Sequence, residues 1–144
     1  MNHTVIFTVQ PYDTDFGGVI SNTSYIRWIE QLRMGWFDSL VPRSRQEQEH
    51  LSLMVARTEI NYLVPIGLYE NEGHLKGTIF NTEIGRARFA FNIEFYSGEN
   101  IVVANAIQKT LLIDYAKRAP TRFPEDALAR LKQEQLEASP KQSD

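Results

Sequence analysis

The sequence predicts an α+β domain in which an antiparallel sheet wraps one long helix. Three observations lead there: a strand pattern over residues 3–9, a helical run over residues 23–40 that is apolar round most of its circumference, and a change to period two from residue 53 that persists through four strands. The resulting architecture is five strands, one enclosed helix and a short C-terminal helix. One domain over residues 1–138 is expected, with a flexible tail over 139–144.

In the first strand, Val5, Phe7 and Val9 alternate with Thr4, Ile6 and Thr8, all β-formers, and Gln10-Pro11 closes it. A polar, glycine-containing segment over 12–22 leads into the helix, whose Tyr25, Ile29, Leu32, Trp36 and Leu40 recur at helical spacing. Ile26, Trp28 and Phe37 widen the stripe, so the helix is expected to be enclosed rather than laid on a surface. Gly35 within it costs about 1 kcal/mol unless another backbone or side chain packs against it, and a sheet is the expected neighbour. Residues 41–52 carry Pro42 and a polar run, which reads as a surface loop with room for one helical turn.

From residue 53 the first of the four strands places Met54, Ala56, Ile60 and Tyr62 on one face and ends at Pro65-Ile66-Gly67. The second, over 73–84, has the weakest alternation. In the third, Phe89, Phe91, Ile93 and Phe95 alternate with Arg88, Ala90, Asn92 and Glu94. Ser97-Gly98-Glu99-Asn100 makes a hairpin connection into the fourth, over 101–114. Pro124 suits the first turn of a terminal helix reaching about residue 136, with Ala127, Leu128 and Leu131 on one side.

Composition narrows the chemistry. The chain has 144 residues, 42% of them hydrophobic and 23% charged, the profile of one globular domain able to bury a core. Cysteine is absent, which removes disulfides, zinc-thiolate sites, iron–sulfur clusters and a cysteine nucleophile. A net charge of -3 offers no global field for nucleic acid or an anionic membrane. No apolar run reaches the ~18 residues of a membrane span, and the first ten residues lack a basic leader. A cytoplasmic protein is therefore expected.

The densest group of unusual residues is Tyr12-Asp13-Thr14-Asp15-Phe16-Gly17-Gly18-Val19-Ile20, between a strand and the start of the enclosed helix. Two acids one residue apart fit either turn formation or part of a hard-metal site, although further oxygen ligands are not evident. The following Asn22-Thr23-Ser24-Tyr25 opens the helix. Free amides and the positive end of a helix dipole there would face the loop holding Asp15. A carboxylate set against anion-stabilising donors suits attack on a carbonyl, where negative charge develops on oxygen. No Gly-x-Ser-x-Gly elbow, phosphate-cradling loop or dinucleotide fingerprint occurs, and His3, His50 and His74 lack ligand spacing.

Laid side by side, the motif Asp13-Thr14-Asp15-Phe16-Gly17-Gly18-Val19 with Tyr25-Ile26-Arg27-Trp28-Ile29-Glu30, then Ile60-Asn61-Tyr62-Leu63-Val64-Pro65, then Glu83-Ile84-Gly85-Arg86, resemble the hotdog-fold acyl-CoA thioesterases. The likeness is greatest to the 4-hydroxybenzoyl-CoA thioesterase group, which includes the Tol-Pal-associated acyl-CoA thioesterases. The resemblance implies a hotdog fold and hydrolysis of an acyl- or aroyl-CoA, or an acyl-carrier-protein thioester, to free acid and thiol. It implies Asp15 as nucleophile or general base, the backbone amide of Asn22 as oxyanion donor, and Glu30 as a water-orienting or loop-holding acid. Phe16, Gly18, Tyr25 and Trp28 would line the acyl pocket, and Arg86 and Arg88 would meet the phosphates of coenzyme A. No metal or resident cofactor is implied, coenzyme A being part of the substrate. Sites at the interface of a homodimer or homotetramer are implied as well. The alternative is a hotdog protein that binds acyl thioesters without hydrolysing them. A hotdog dehydratase is set aside because it depends on a central histidine, and none lies between His3 and His50.

Overall fold

The computed structural model describes residues 2–98 and 100–138, so the tail expected over 139–144 lies outside the described residues. Its elements are β1 (Asn2–Thr8), α1 (Asn22–Leu40), α2 (Arg43–Gln48), β2 (Leu51–Tyr62), β3 (His74–Ile84), β4 (Arg88–Ser97), β5 (Ile101–Asp114), β6 (Ala119–Pro120) and α3 (Glu125–Ala138). The strands form one antiparallel sheet in the order β1-β3-β4-β5-β2. The two-residue β6 adds to β5 through Ile113 and Asp114, a sixth strand beyond the five read from sequence. It was invisible there because two residues ending in Pro120 carry no alternation.

Hydrophobic burial against the concave face of the sheet holds α1 in place. Tyr25, Trp28, Ile29, Leu32, Trp36, Phe37 and Leu40 are all buried, and they pack with Phe7, Leu75, Ile79, Phe91, Ile93 and Phe95 of the strands. Gly35 lies where α1 crosses β1: the His3 imidazole occupies the position a Cβ would take. The close neighbour expected at this glycine is therefore the first strand. A polar six-residue helix, α2, fills part of the expected 41–52 loop, and its Gln46 amide donates to the Val41 carbonyl at 2.7 Å.

One expectation is corrected. Met54 does not share a face with Ile60 and Tyr62, because the β2–β5 register shifts between Val55 and Arg57. An extra residue there reverses the parity of everything after it. Met54 pairs with Leu111, whereas Tyr62 pairs with the fully buried Ala104 and turns inward to meet Tyr25. The bulge thereby brings the end of β2 to the start of α1.

Candidate active site

Asp13 and Asp15 are separated by Thr14 and sit in different environments. Asp13 is buried at 2% exposure. Its carboxylate pairs with Arg27, accepts the Gln10 amide at 2.8 Å and accepts the Ser24 hydroxyl at 3.3 Å. Its carbonyl accepts the Ser21 amide at 2.8 Å. These bonds lash the loop to the first turn of α1. With both oxygens of its carboxylate engaged by hydrogen donors, Asp13 acts as a structural acid that holds the loop.

Asp15 is exposed. Its amide donates to the Val19 carbonyl at 2.9 Å and its carbonyl accepts the Gly18 amide at 3.0 Å, closing a tight turn in which Gly18 takes φ +75°. That left-handed conformation favours glycine, so Gly18 shapes the loop instead of lining a pocket. The Asp15 Oδ1 accepts the Gly17 amide at 2.9 Å, which fixes the carboxylate while leaving its other oxygen free for a ligand. Ile20 ties the loop to the segment after β2 by donating to the Ile66 carbonyl at 2.8 Å.

A cleft of about 220 Å³ opens beside this turn, lined by Asp15, Val19, Ile20, Asn22, Tyr25, Tyr62, Val64, Pro65 and Ile66. Asp15 and Asn22, the two residues expected to act together, are thus in one cavity. Ser21 precedes α1 in the capping position but makes no side-chain bond to the helix amides. Its hydroxyl instead meets those of Thr23 and Ser24, at 3.1 and 3.0 Å. Of the amides that open α1, that of Ser24 donates to the Ser21 carbonyl at 3.1 Å, while those of Asn22 and Thr23 make no backbone hydrogen bond among the described residues, and Asn22 borders the cleft.

The aromatic wall of the cleft rests on the core. Tyr25 packs edge-on against Phe95 and Trp28, with ring centroids 5.1 and 5.6 Å away, and Trp28 stacks on Phe7 at 5.3 Å. Tyr62 lies 5.6 Å from Tyr25. Burial, helped by the neighbouring Tyr62, pushes the Tyr25 phenol up to about 12.

The other expected residues are placed elsewhere. Phe16 is fully exposed at the tip of the turn, because the residue after Asp15 in so tight a loop has no core to reach. Trp28 is buried in the layer beneath the cleft and supports Tyr25 from there. Glu30 lies two helical turns beyond Asn22 and borders a different groove, with Arg33, Met34 and Asp38. Arg86 is exposed in the turn between β3 and β4. Arg88 rims a separate cavity of about 360 Å³ on the outer face, together with Arg57 and Lys109. Arg57 and Lys109 were not singled out from sequence, because their approach depends on the β2–β5 pairing. Tyr62, Val64 and Ile66 were not assigned to the pocket either. The available signal was the run of apolar residues continuing past a strand end, within a segment already matching the family motif.

A family model described as the thioesterase-like superfamily matches residues 9–131. Among solved structures, the DHNA-CoA thioesterase of Staphylococcus aureus superposes with a TM-score of 0.80 at 19% identity, covering 96% of this chain and 95% of that one. A second Staphylococcus aureus protein, solved in complex with CoA, gives 0.82 at 13% identity, with 93% and 83% covered. A thioesterase from Thermus thermophilus complexed with coenzyme A and Zn gives 0.75 at 21%, with 90% and 91% covered. At these identities the likeness establishes the fold. No curated protein matches the chain at a significant level.

Proposed function

We infer that this chain, which belongs to the thioesterase-like superfamily, hydrolyses the thioester of an acyl- or aroyl-CoA at the Asp15–Asn22 cleft. The observation that carries the reading is an exposed carboxylate and the first residue of a helix bordering one cavity walled by apolar and aromatic side chains. Carbonyl attack needs a base or nucleophile on one side and a donor for the developing oxyanion on the other.

Two routes use these groups. As general base, Asp15 takes a proton from water while the water oxygen bonds to the carbonyl carbon and the C=O electron pair moves onto oxygen. The Asn22 amide donates to that oxyanion, whose collapse breaks the C–S bond, and the thiolate receives the proton from Asp15. As nucleophile, Asp15 bonds to the carbonyl carbon itself, expels the thiolate and leaves a mixed anhydride, which water then cleaves. A burst of free thiol ahead of free acid in a rapid-quench experiment identifies the second route.

In this reading Val19, Ile20, Tyr25, Tyr62, Val64 and Ile66 hold the acyl group. Arg88, joined by Arg57 and Lys109 on the outer face and by Arg86 at the hairpin, supplies guanidinium and ammonium donors for the coenzyme A phosphates. The Asp15 cleft and this cation-rimmed cavity occupy different faces of the sheet. A second copy, as the resemblance to dimeric hotdog enzymes implies, would contribute the cations and account for the separation.

The test is thiol release from a panel of acyl-CoAs by the wild-type chain and by Asp15→Asn, which is expected to lose ~10²-fold or more in kcat. Unchanged turnover in that variant would remove Asp15 from the mechanism. Tight acyl-CoA binding without turnover by the wild type would mark a binding protein instead.

A further inference from the structure

Tyr25 is 3% exposed, and its ring is wedged among Trp28, Tyr62 and Phe95. Among the described residues its hydroxyl makes no hydrogen bond, yet no fully enclosed side-chain polar atom there lacks a partner. The phenol oxygen therefore touches open space, and the space its residue borders is the Asp15 cleft. A buried ring that presents one unpaired donor to a cavity is unusual, because buried donors are otherwise satisfied.

Helix geometry says where that donor lies. Asn22 and Tyr25 are three residues apart on α1, so they share a face. Side chains on a helix lean toward its N-terminus, so the long Tyr25 side chain reaches back over the turn that begins at Asn22. The phenol and the opening amide thus converge on the same end of the cleft.

We propose that the Tyr25 hydroxyl is a second hydrogen-bond donor to the thioester carbonyl oxygen, acting beside the Asn22 amide. This rests on the thioesterase reading given above. Burial keeps the phenol protonated to about 12, so it is a donor at every working pH. The same burial makes it a weaker acid than a thiol, so it donates a hydrogen bond without giving up its proton. The bond strengthens as charge develops on the oxygen, which places its effect on kcat rather than on KM.

The experiment compares the wild type with Tyr25→Phe and Tyr115→Phe on hexanoyl-, palmitoyl-, benzoyl- and 4-hydroxybenzoyl-CoA, with Tm measured for each. Tyr25→Phe keeps the ring and deletes only an unpaired oxygen, so its Tm is expected not to fall. Its kcat is expected to drop about 10- to 100-fold by the same factor on every substrate turned over, with KM within about twofold. The pH profile should keep its acid limb, and Tyr115→Phe, whose ring lies against His50 away from the cleft, should stay within about threefold of wild type. Undiminished kcat in Tyr25→Phe overturns the proposal. So does a loss confined to the hydroxylated acyl group, which would put the phenol on the acyl chain. A shifted acid limb also overturns it, by putting the phenol on the Asp15 carboxylate. Activity in the wild type that Asp15→Asn abolishes, with Tyr25→Phe intact, rejects this inference alone. A wild type inactive on the whole panel rejects the thioesterase reading and this inference with it.

Discussion

Asp13 is 2% exposed and Asp15 is at the surface, although only Thr14 separates them. Asp13 ends a 3₁₀ turn and faces Arg27 and Ser24, whereas Asp15 opens the glycine turn and stands at the mouth of the cleft. The same division between buried and open applies to the phenols. The Tyr25 side chain titrates well above the ordinary tyrosine value because burial, and secondarily Tyr62, disfavour the phenolate, holding it at about 12. In the unfolded chain it ionises near the ordinary tyrosine value of 10.0. Between those values the folded state binds the extra proton, so this contribution to stability is full below pH 10.0 and is lost as pH rises toward about 12. Phenolate absorbance followed against pH should show one tyrosine titrating last, and that step should vanish in Tyr25→Phe. If the late step persists in the variant, another tyrosine is the buried one.

At the scale of elements, β3 explains what hydropathy hides. Its inward residues are Leu75, Gly77, Ile79 and Asn81, a clean alternation in burial that the sequence presents as the weakest pattern of the four. Glycine and asparagine break the apolar signal for physical reasons. Asn81 is buried because its amide donates to the Glu83 and Ala90 carbonyls and its oxygen accepts from Gln135 of α3. Gly77 is there because a Cβ would come within 2.8 Å of Phe7 and 3.0 Å of Leu32 and Phe95, the side chains that join β1, α1 and β4. Gly77→Ala is accordingly expected to destabilise by about 1–3 kcal/mol through overpacking, seen as a Tm lower by several degrees. A Tm at or above wild type would mean that the aromatic layer yields freely. Where inward residues are apolar, as in β4 and α1, the elements were legible with ends displaced by a residue or so. The bulge in β2 was not, since only pairing with β5 reveals an unmatched residue. The site divides along the same line. Asp15, Asn22 and Tyr25 lie within eleven consecutive residues, so local spacing could group them. Tyr62, Val64 and Ile66 arrive through the sheet, which no local pattern encodes.

At the scale of the whole molecule, two sheet edges are open among the described residues, since β1 pairs there only with β3 and β2 only with β5. β2 is 12 residues long, and a free edge of that length presents a row of unpaired backbone donors and acceptors that monomeric proteins usually keep short or cover. Large apolar side chains gather where this edge meets the cleft: Tyr62, Leu63 and Val64 are each more than 40% exposed, and Phe16 is entirely so. An acyl group held there in a lone chain would keep much of its surface in water, which weakens both its binding and the electrostatic help given to the oxyanion. A second copy laid along β2 would close the cleft and bring further cations toward it. The chain is therefore expected to sediment at twice or four times the mass of one protomer, with specific activity falling on dilution below the dissociation constant. Leu63→Asp places a charge in that contact without touching the core, so it should yield a folded monomer of unchanged Tm at low concentration and greatly reduced kcat. Were the wild type a monomer with full activity, the apolar rim would need another cover and one chain would have to complete the site by itself.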